Sequence, residues 1–427
     1  MKIYQIKTPI NAELQNIAAD KSISHRFAIF SLLTQGQNQA KNYLLAEDTL
    51  NTLQIIKNLG AKVECQGTCV NITPPCEIAS PNCVLDCGNS GTAMRLMIGF
   101  LAGVSGFFVL SGDKYLNKRP MQRISKPLIE IGAKIYGRDG ANLAPLCIEG
   151  QNLKSFNYTS KIASAQIKTA MILAAFKSDN TCTFHENFLS RNHSENMLKA
   201  MKAPIKITNN GLNLEISPLK NPLKAQNIVI PNDPSSAFYF ALAAIIVPHS
   251  KIILKNILLN PTRIQAYKIL QKMGAKLTIN ITQNNFETIG EIIAESSTLH
   301  AITIEKNIAW LIDEAPALAI AFALAKGTSA LKNAQELRVK ESDRIKVMVE
   351  NLKLCGINAK ELEDGFEIIG GEVKAAKIKS YGDHRIAMSF AILGLLCGME
   401  IDESECIKTS FPNFIEILLN LGVKIDH

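Results

Sequence analysis

One short pattern returns along the chain at a nearly constant interval: an apolar residue, then Gly, Ala, Lys and a second apolar residue. It reads Leu59-Gly60-Ala61-Lys62-Val63, Ile131-Gly132-Ala133-Lys134-Ile135 and Met273-Gly274-Ala275-Lys276-Leu277, with Leu421-Gly422-Val423-Lys424-Ile425 close behind. Ala203-Pro204-Ile205-Lys206-Ile207 and Cys355-Gly356-Ile357-Asn358-Ala359 are degenerate copies, and successive fourth positions lie between 66 and 82 residues apart. Such a period limits the fold strongly, because each copy is one supersecondary unit that buries its apolar face only against its neighbours.

Every copy follows an amphipathic helical pattern. Leu50, Leu53, Ile56 and Leu59 form one stripe, opposite Gln54, Lys57 and Asn58; Ile264, Tyr267 and Leu270, and Phe414, Ile417, Leu418 and Leu421, repeat it. In most copies a Gly supplies the left-handed stop, and the alternation after it reads as a strand. The unit is therefore strand, helix, strand, helix and paired strands. Six units predict an α/β (α+β) protein with two pseudo-threefold domains of three units each. A chain of 427 residues is also too long for one core.

The break falls near Pro231-Asn232-Asp233-Pro234, after three units. The first 20 residues hold no full unit and are expected to complete the second domain. This gives domains 20–234 and 1–19 with 235–427. Two chain crossings, near Ala18 to Asp20 and near Pro231 to Ser235, make a hinge, and a cleft between hinged domains is suited to enclosing a ligand.

Composition narrows the function classes. The net charge of +8 is modest; it reads either as a solvated basic surface or as attraction for small anionic substrates. Lysines are scattered and aromatics are 6% of residues, which argues against a nucleic-acid groove. No apolar run reaches the roughly 18 residues that span a bilayer, and Met1 to Gln5 lacks a signal-peptide core. Five of ten cysteines fall between Cys65 and Cys87, but Cys65-x3-Cys69 and Cys83-x3-Cys87 lack common zinc spacing and a nearby His. They read as reduced thiols of a cytoplasmic protein, with no metal site.

The chemistry is suggested by cations in unusual places. Arg338-Val339-Lys340-Glu341-Ser342-Asp343-Arg344 runs into an apolar helical pattern, with Ser342 or Asp343 as its cap. The N-terminus of a helix favours anions, so Lys340 and Arg344 there imply a bound anion. The same anomaly recurs where Asp20 caps a helix bearing Lys21, Ser22 and Arg26, at Arg95, and where Asp383 caps a helix bearing His384 and Arg385. His25 reads as structural. Gly88-Asn89-Ser90-Gly91-Thr92 lets backbone N–H groups approach a ligand, without the pattern of a Walker A loop.

Other segments are ambiguous alone. Lys118-Arg119-Pro120 reads equally as a surface pair, and Ser164-Ala165-Gln166 and Ser190-Arg191 as plain caps. Asp313-Glu314 at the start of Ala315 to Ala325 fits simple capping, or a general base beside cations. Lys408-Thr409-Ser410 says little by itself. Convergence decides: two cations about 6 Å apart repel by roughly 3 kcal/mol at an effective dielectric near 20, so several in one cleft call for anions.

These segments together resemble the enolpyruvyl transferases, in the branch of that family that acts on shikimate 3-phosphate. The resemblance runs through DKSISHR at 20–26, GNSGTAMR at 88–95, RP at 119–120, SAQ at 164–166 and SR at 190–191. It continues through DPSSA at 233–237, NPTR at 260–263, IDE at 312–314, RVKESDR at 338–344 and GDHRIAM at 382–388. It implies two domains of three βαβαββ units joined by a two-strand hinge. It also implies transfer of the enolpyruvyl group of phosphoenolpyruvate to the 5-hydroxyl of shikimate 3-phosphate, by a monomer without metal or organic cofactor, on the route to chorismate and the aromatic amino acids.

By the same resemblance Lys21, Ser22, Arg26, Ser164, Gln166, Arg191, Asp313 and Lys340 hold shikimate 3-phosphate. Lys21, Asn89, Gly91, Arg119, Gln166, Arg344, His384, Arg385 and Lys408 hold phosphoenolpyruvate, Lys408 with a one-residue shift in the alignment. Asp313, Glu341 and Lys21 are the implied catalytic groups. The chain departs from the family at Ala18-Ala19, where Pro-Gly is usual, and at Ala165 and Glu336, which are not carried over as ligands. Gly91, rather than Ala, predicts that glyphosate enters the phosphoenolpyruvate pocket. The rivals are the UDP-N-acetylglucosamine enolpyruvyl transferase, which has Lys-Asn in place of Lys21-Ser22 and a loop Cys near Arg119, and a non-enzymatic polyanion-binding repeat protein. The latter leaves Asp313 and Glu341, set among cations, without a purpose.

Overall fold

The computed structural model describes residues 1–426. The chain forms two compact units, Ala19–Ile230, and Met1–Ala18 together with the chain from Pro231 onward. Each contains three four-stranded sheets, built on one plan.

The plan is clearest in two repeats of the first unit. One runs Leu85–Asp86, helix Gly91–Leu101, Gly106–Ser111, helix Gln122–Glu130, Lys134–Gly137 and Leu143–Gly150. Its first two strands pair in parallel, the last pairs antiparallel with the second, and the third lies outside the last. The next runs Asn157–Ser160, helix Ala165–Ala175, Cys182–Glu186, helix His193–Ala200, Ile205–Thr208 and Asn213–Ile216, with identical order. Both are βαβαββ.

The remaining sheet of this unit lacks a leading strand of its own. Asn227–Val229 supplies it from the far end, parallel to Asn38–Lys41. In the other unit the chain start contributes two strands. Asn11–Leu14 lies parallel to Lys251–Leu258 as a leading strand, whereas Lys2–Ile3 takes the last-strand position, antiparallel to Met399–Ile401 and Ile425–Asp426. Each unit is closed by strands distant in sequence.

The helix pattern follows from composition. The first helix of most repeats is apolar nearly all round, as a helix inside a core must be; Lys21–Ser31 is the exception and buries Ser24, His25, Arg26 and Ser31. Pro234–Ile246, Ala315–Leu324 and His384–Cys397 pack on one another at the centre of one unit. In the other, Lys21–Ser31, Gly91–Leu101 and Ala165–Ala175 are buried over most of their length. Gly91–Leu101 and Ala165–Ala175 cross so closely that a Cβ on Gly99 would lie 2.4 Å from the Ala170 carbonyl oxygen. The second helices are amphipathic: Gln265–Lys272 buries Ala266, Tyr267, Ile269 and Leu270 and exposes Lys268, Gln271 and Lys272. The recurring Gly after such helices turns the chain with positive φ, +98° at Gly60 and Gly132 and +99° at Gly274.

This plan places chemistry. In the two clearest repeats the core helix begins just after the leading strand, and bonds that link the first turns of the core helices are described next. Among the described residues no helix is long and apolar enough to cross a membrane.

Candidate active site

In the unit Ala19–Ile230, Asp20 caps its helix by accepting from Ile23 N at 2.7 Å. Lys21 and Ser22 thus fall on the first turn, and Lys21 Nζ pairs with Asp48 Oδ2 at 3.0 Å. Arg26, one turn further, is buried. It donates to Ser194 Oγ at 2.7 Å, Thr169 Oγ1 at 3.0 Å and the Ser22 carbonyl at 3.1 Å. It thereby ties its helix to two others.

His25 is buried between Thr52 Oγ1 (2.7 Å) and Ser90 Oγ (3.4 Å). Burial, then the charges of Lys21 and Arg26, hold its pKa well below 6.5, so the ring is neutral. This is the structural role expected for it.

Ser90 caps the helix Gly91–Leu101 and Ser164 caps Ala165–Ala175. Three guanidinium groups gather over these first turns. Arg95 donates to Gln166 Oε1 at 2.9 Å and to the Pro120 carbonyl at 3.2 Å. Arg119 donates to the Asn89 carbonyl at 3.3 Å, and Arg123 to Gln166 Oε1 at 3.3 Å. A Cβ on Gly91 would lie 2.8 Å from Arg95 Nη1 and 3.0 Å from Arg119 Nη2, so only a bare Cα leaves both guanidiniums where they are. Clustered guanidiniums of this kind can take an oxyanion.

Arg191 lies in the loop before His193–Ala200. That loop is anchored by a buried triad in which Lys168 Nζ pairs with Glu186 Oε1 and with Glu195 Oε1, both at 2.7 Å. Glu186 Oε1 also accepts from Ser190 N at 2.9 Å.

In the other unit the centre is Arg344, which follows its helix cap Asp343. Its guanidinium meets Asp383 through Nε at 2.8 Å, Glu341 through Nη2 at 2.6 Å and Asp313 through Nη1 at 3.7 Å. Burial opposes the charge on Arg344, but Asp383, Glu341 and Asp313 outweigh it and raise its pKa. Asp383 is itself the cap of His384–Cys397, accepting from Arg385 N at 2.9 Å and from Ser342 Oγ at 3.0 Å.

Arg385 is buried beside Tyr239. Burial again works against its charge and is outweighed by Tyr239, Asp313, Glu314 and Asp233. Burial pushes the Tyr239 phenol up to about 12 although Arg385 and Arg344 lower it. His384 Nδ1 lies 3.4 Å from Thr409 Oγ1, which brings the turn Ser404–Thr409, with Lys408 exposed on it, against the same helix start. Lys340 Nζ pairs with Glu336 Oε1 at 3.2 Å.

The cations of 338–344 have internal partners as well: Arg338 pairs with Asp343 and Glu361, Lys340 with Glu336, and Arg344 with Asp383, Glu341 and Asp313. These carboxylates offset part of the repulsion. One reading changes: Glu314 does not cap Ala315–Leu324 through its side chain, since no side-chain cap bond is made there. Asp313 turns to Arg344, and Glu314 accepts from Ser235 Oγ. Asp233 caps Pro234–Ile246 and pairs with Arg263 at 2.9 Å, so the segments at 233–237 and 260–263 brace the core beneath Arg385.

The first unit thus offers guanidiniums for oxyanions, and the second two partly exposed carboxylates, Asp313 and Glu341 (22% and 18%), beside a buried cation. Such carboxylates can move protons. The sequence reading did not assign Arg123, Asp48 or Tyr239. Arg123 had the same signal as Lys21, a cation in the first turn of a helix, here Gln122–Glu130.

Residues 4–418 match the family model described as EPSP synthase (3-phosphoshikimate 1-carboxyvinyltransferase). The chain belongs to the EPSP synthase family. A curated 3-phosphoshikimate 1-carboxyvinyltransferase of Campylobacter jejuni subsp. doylei is 79% identical over 428 residues, covering 100% of both chains. One from Campylobacter hominis is 60% identical, again with 100% of both chains covered. The structure of EPSP synthase from Acinetobacter baumannii matches with a TM-score of 0.86 at 35% identity, covering 100% of this chain and 99% of that one. The repeated two-unit architecture is therefore that of EPSP synthase structures.

Proposed function

We propose that this member of the EPSP synthase family transfers the enolpyruvyl group of phosphoenolpyruvate to the 5-hydroxyl of shikimate 3-phosphate and releases phosphate. The observation that carries this is the full-length match, at 79% identity, to a relative curated with that activity. The UDP-N-acetylglucosamine reaction is not favoured.

The site reading goes further and rests on the local geometry and the resemblance. Lys21, Ser22, Arg26, Ser164, Gln166, Arg191, Asp313 and Lys340 take shikimate 3-phosphate. Lys21, Asn89, Gly91, Arg119, Gln166, Arg344, His384, Arg385 and Lys408 take phosphoenolpyruvate. Asp313 accepts the proton of the 5-hydroxyl as its oxygen bonds to C2 of phosphoenolpyruvate. Glu341 delivers a proton to the C3 methylene in the same step, giving a tetrahedral intermediate. Glu341 then takes a proton back from C3 as the C2–O bond to phosphate breaks. Lys21 and the guanidiniums stabilise the negative charge, where fixed donors act most strongly. The reading requires groups of both units to serve one pair of substrates.

Phosphate release with each substrate omitted in turn tests the activity. Turnover requires both substrates and is absent with UDP-N-acetylglucosamine as acceptor; turnover with that acceptor, or none with shikimate 3-phosphate, rejects it. Glu341→Ala is expected to abolish turnover while retaining ternary binding, and full activity in that variant removes Glu341 from the mechanism. The reading also makes the protein a cytoplasmic monomer, which sedimentation and cell fractionation check.

A further inference from the structure

Gln166 stands among the proposed ligands of both substrates, yet an amide side chain can present either its oxygen or its NH2 group. Nothing intrinsic to Gln chooses between them; the hydrogen-bond network does. Here Oε1 accepts from two cations, Arg95 Nη1 at 2.9 Å and Arg123 Nη2 at 3.3 Å, while Nε2 donates to Thr92 Oγ1 at 3.1 Å. Reversing the amide would aim its two N–H donors at two guanidiniums and lose both charge-assisted bonds.

We infer that Arg123 is a positioning residue for the reaction: with Arg95 it locks the Gln166 amide so that Gln166 meets substrate as a hydrogen-bond donor only. Both lone-pair directions of Oε1 are occupied by guanidinium donors. One Nε2 hydrogen is held by Thr92, and the other is left for an oxygen of the substrate. A donor-only amide accepts an oxyanion or an ether oxygen and rejects a donor, which is the polarity that phosphoenolpyruvate requires of a neutral neighbour.

Arg123 is placed for this by its own helix. Gln122–Glu130 starts immediately after Met121, whose N–H donates to the Asn142 carbonyl at 2.7 Å, so the first turn that carries Arg123 is tied to the residue just before the strand Leu143–Gly150. Ile124 and Leu128 are buried and fix the rotation of the helix. Arg95 reaches the same oxygen atom from the helix Gly91–Leu101, which also carries Thr92, so two helices converge on the amide of a third.

This inference rests on the assignment of Gln166 as a substrate ligand. The test is a double-mutant cycle of Arg123→Gln and Gln166→Ala, read as kcat/KM for phosphoenolpyruvate at saturating shikimate 3-phosphate, with the wild type establishing first that the reaction occurs. Arg123→Gln is expected to lower kcat/KM roughly ten-fold, the size of one hydrogen bond to a charged group, and Arg123→Lys to recover most of it. In the Gln166→Ala background the same change at Arg123 is expected to cost nothing further. A ten-fold loss that persists without Gln166 shows that Arg123 acts by itself and overturns the inference, as does an unchanged kcat/KM in Arg123→Gln. If Gln166→Ala alone is silent while the wild type turns over, the ligand assignment fails and the inference with it. Thermal unfolding of each variant separates these outcomes from loss of fold.

Discussion

Arg344 and Asp383 meet side-on, Nε to Oδ2 at 2.8 Å and Nη2 to Oδ1 at 3.2 Å, with both side chains buried. Asp383 also caps the helix that begins with His384 and Arg385, so one carboxylate fixes the start of that helix and the orientation of Arg344. Asn caps helices as well as Asp, so Asp383→Asn removes the charge without removing the cap. Unfolding in urea is expected to show a loss of about 3 kcal/mol, the lower end for a broken buried ion pair, because Glu341 and Asp313 still face Arg344. A variant as stable as wild type would show that the pair contributes no net stability.

Gly91 is expected to report on the phosphoenolpyruvate subsite. The Cβ of Gly91→Ala meets the far ends of Arg95 and Arg119, which can shift, so the fold survives while the guanidiniums move by a fraction of an ångström. Misplacement on that scale raises KM for phosphoenolpyruvate about ten-fold and leaves KM for shikimate 3-phosphate nearly constant. Glyphosate should compete with phosphoenolpyruvate in the wild type and bind more weakly to the variant. Non-competitive inhibition, or equal changes in both KM values, would contradict this.

Lys168 is surrounded by Glu186 and Glu195 with all three side chains at most 3% exposed. Removing the cation strands two buried carboxylates, so Lys168→Met should cost about 3–5 kcal/mol in denaturant unfolding. Adding Glu186→Gln and Glu195→Gln should recover much of that loss, since no buried charge then remains. A triple variant no better than the single one would assign the cost to packing.

His25 sets a pH dependence whose sign is fixed by its lowered pKa. Above pH 6.5 the ring is neutral in both folded and unfolded chains, and its contribution is constant. As pH falls below 6.5 the unfolded chain takes up a proton that the folded site refuses. Stability then drops by up to about 1.4 kcal/mol per pH unit, until the folded ring titrates. The difference between wild type and His25→Gln in urea unfolding, measured from pH 7 to pH 5, isolates this slope. A difference that does not change with pH would mean that the folded and unfolded rings take up the proton alike.

Much of this was legible in the sequence where the signal is local. Asp20 and Asp383 are caps because a short carboxylate precedes an apolar period, and the Gly of the repeat marks the end of each amphipathic helix. Whether Ser342 or Asp343 starts the next helix was not decided by the sequence; Asp343 does, and Ser342 bonds to Asp383 instead. What the sequence could not convey is pairing at long range. Nothing near Asn38 indicates that Asn227–Val229 will lie beside it, and nothing near Arg344 indicates that Asp313 and Asp383 will offset its charge. Arg123 carries a local signal, a cation in the first turn of a helix, but its bond to Gln166, 43 residues away, is not visible in the sequence.

The measurement that bears most directly on the mechanism is the reaction run in deuterium oxide, with the vinyl methylene of the product examined by NMR. If Glu341 protonates C3 of phosphoenolpyruvate and later removes a proton from the resulting methyl group, deuterium appears at that carbon in the wild type and is absent in Glu341→Gln. Wild-type product formed at full rate without deuterium at the methylene would contradict addition and elimination at C2 and C3.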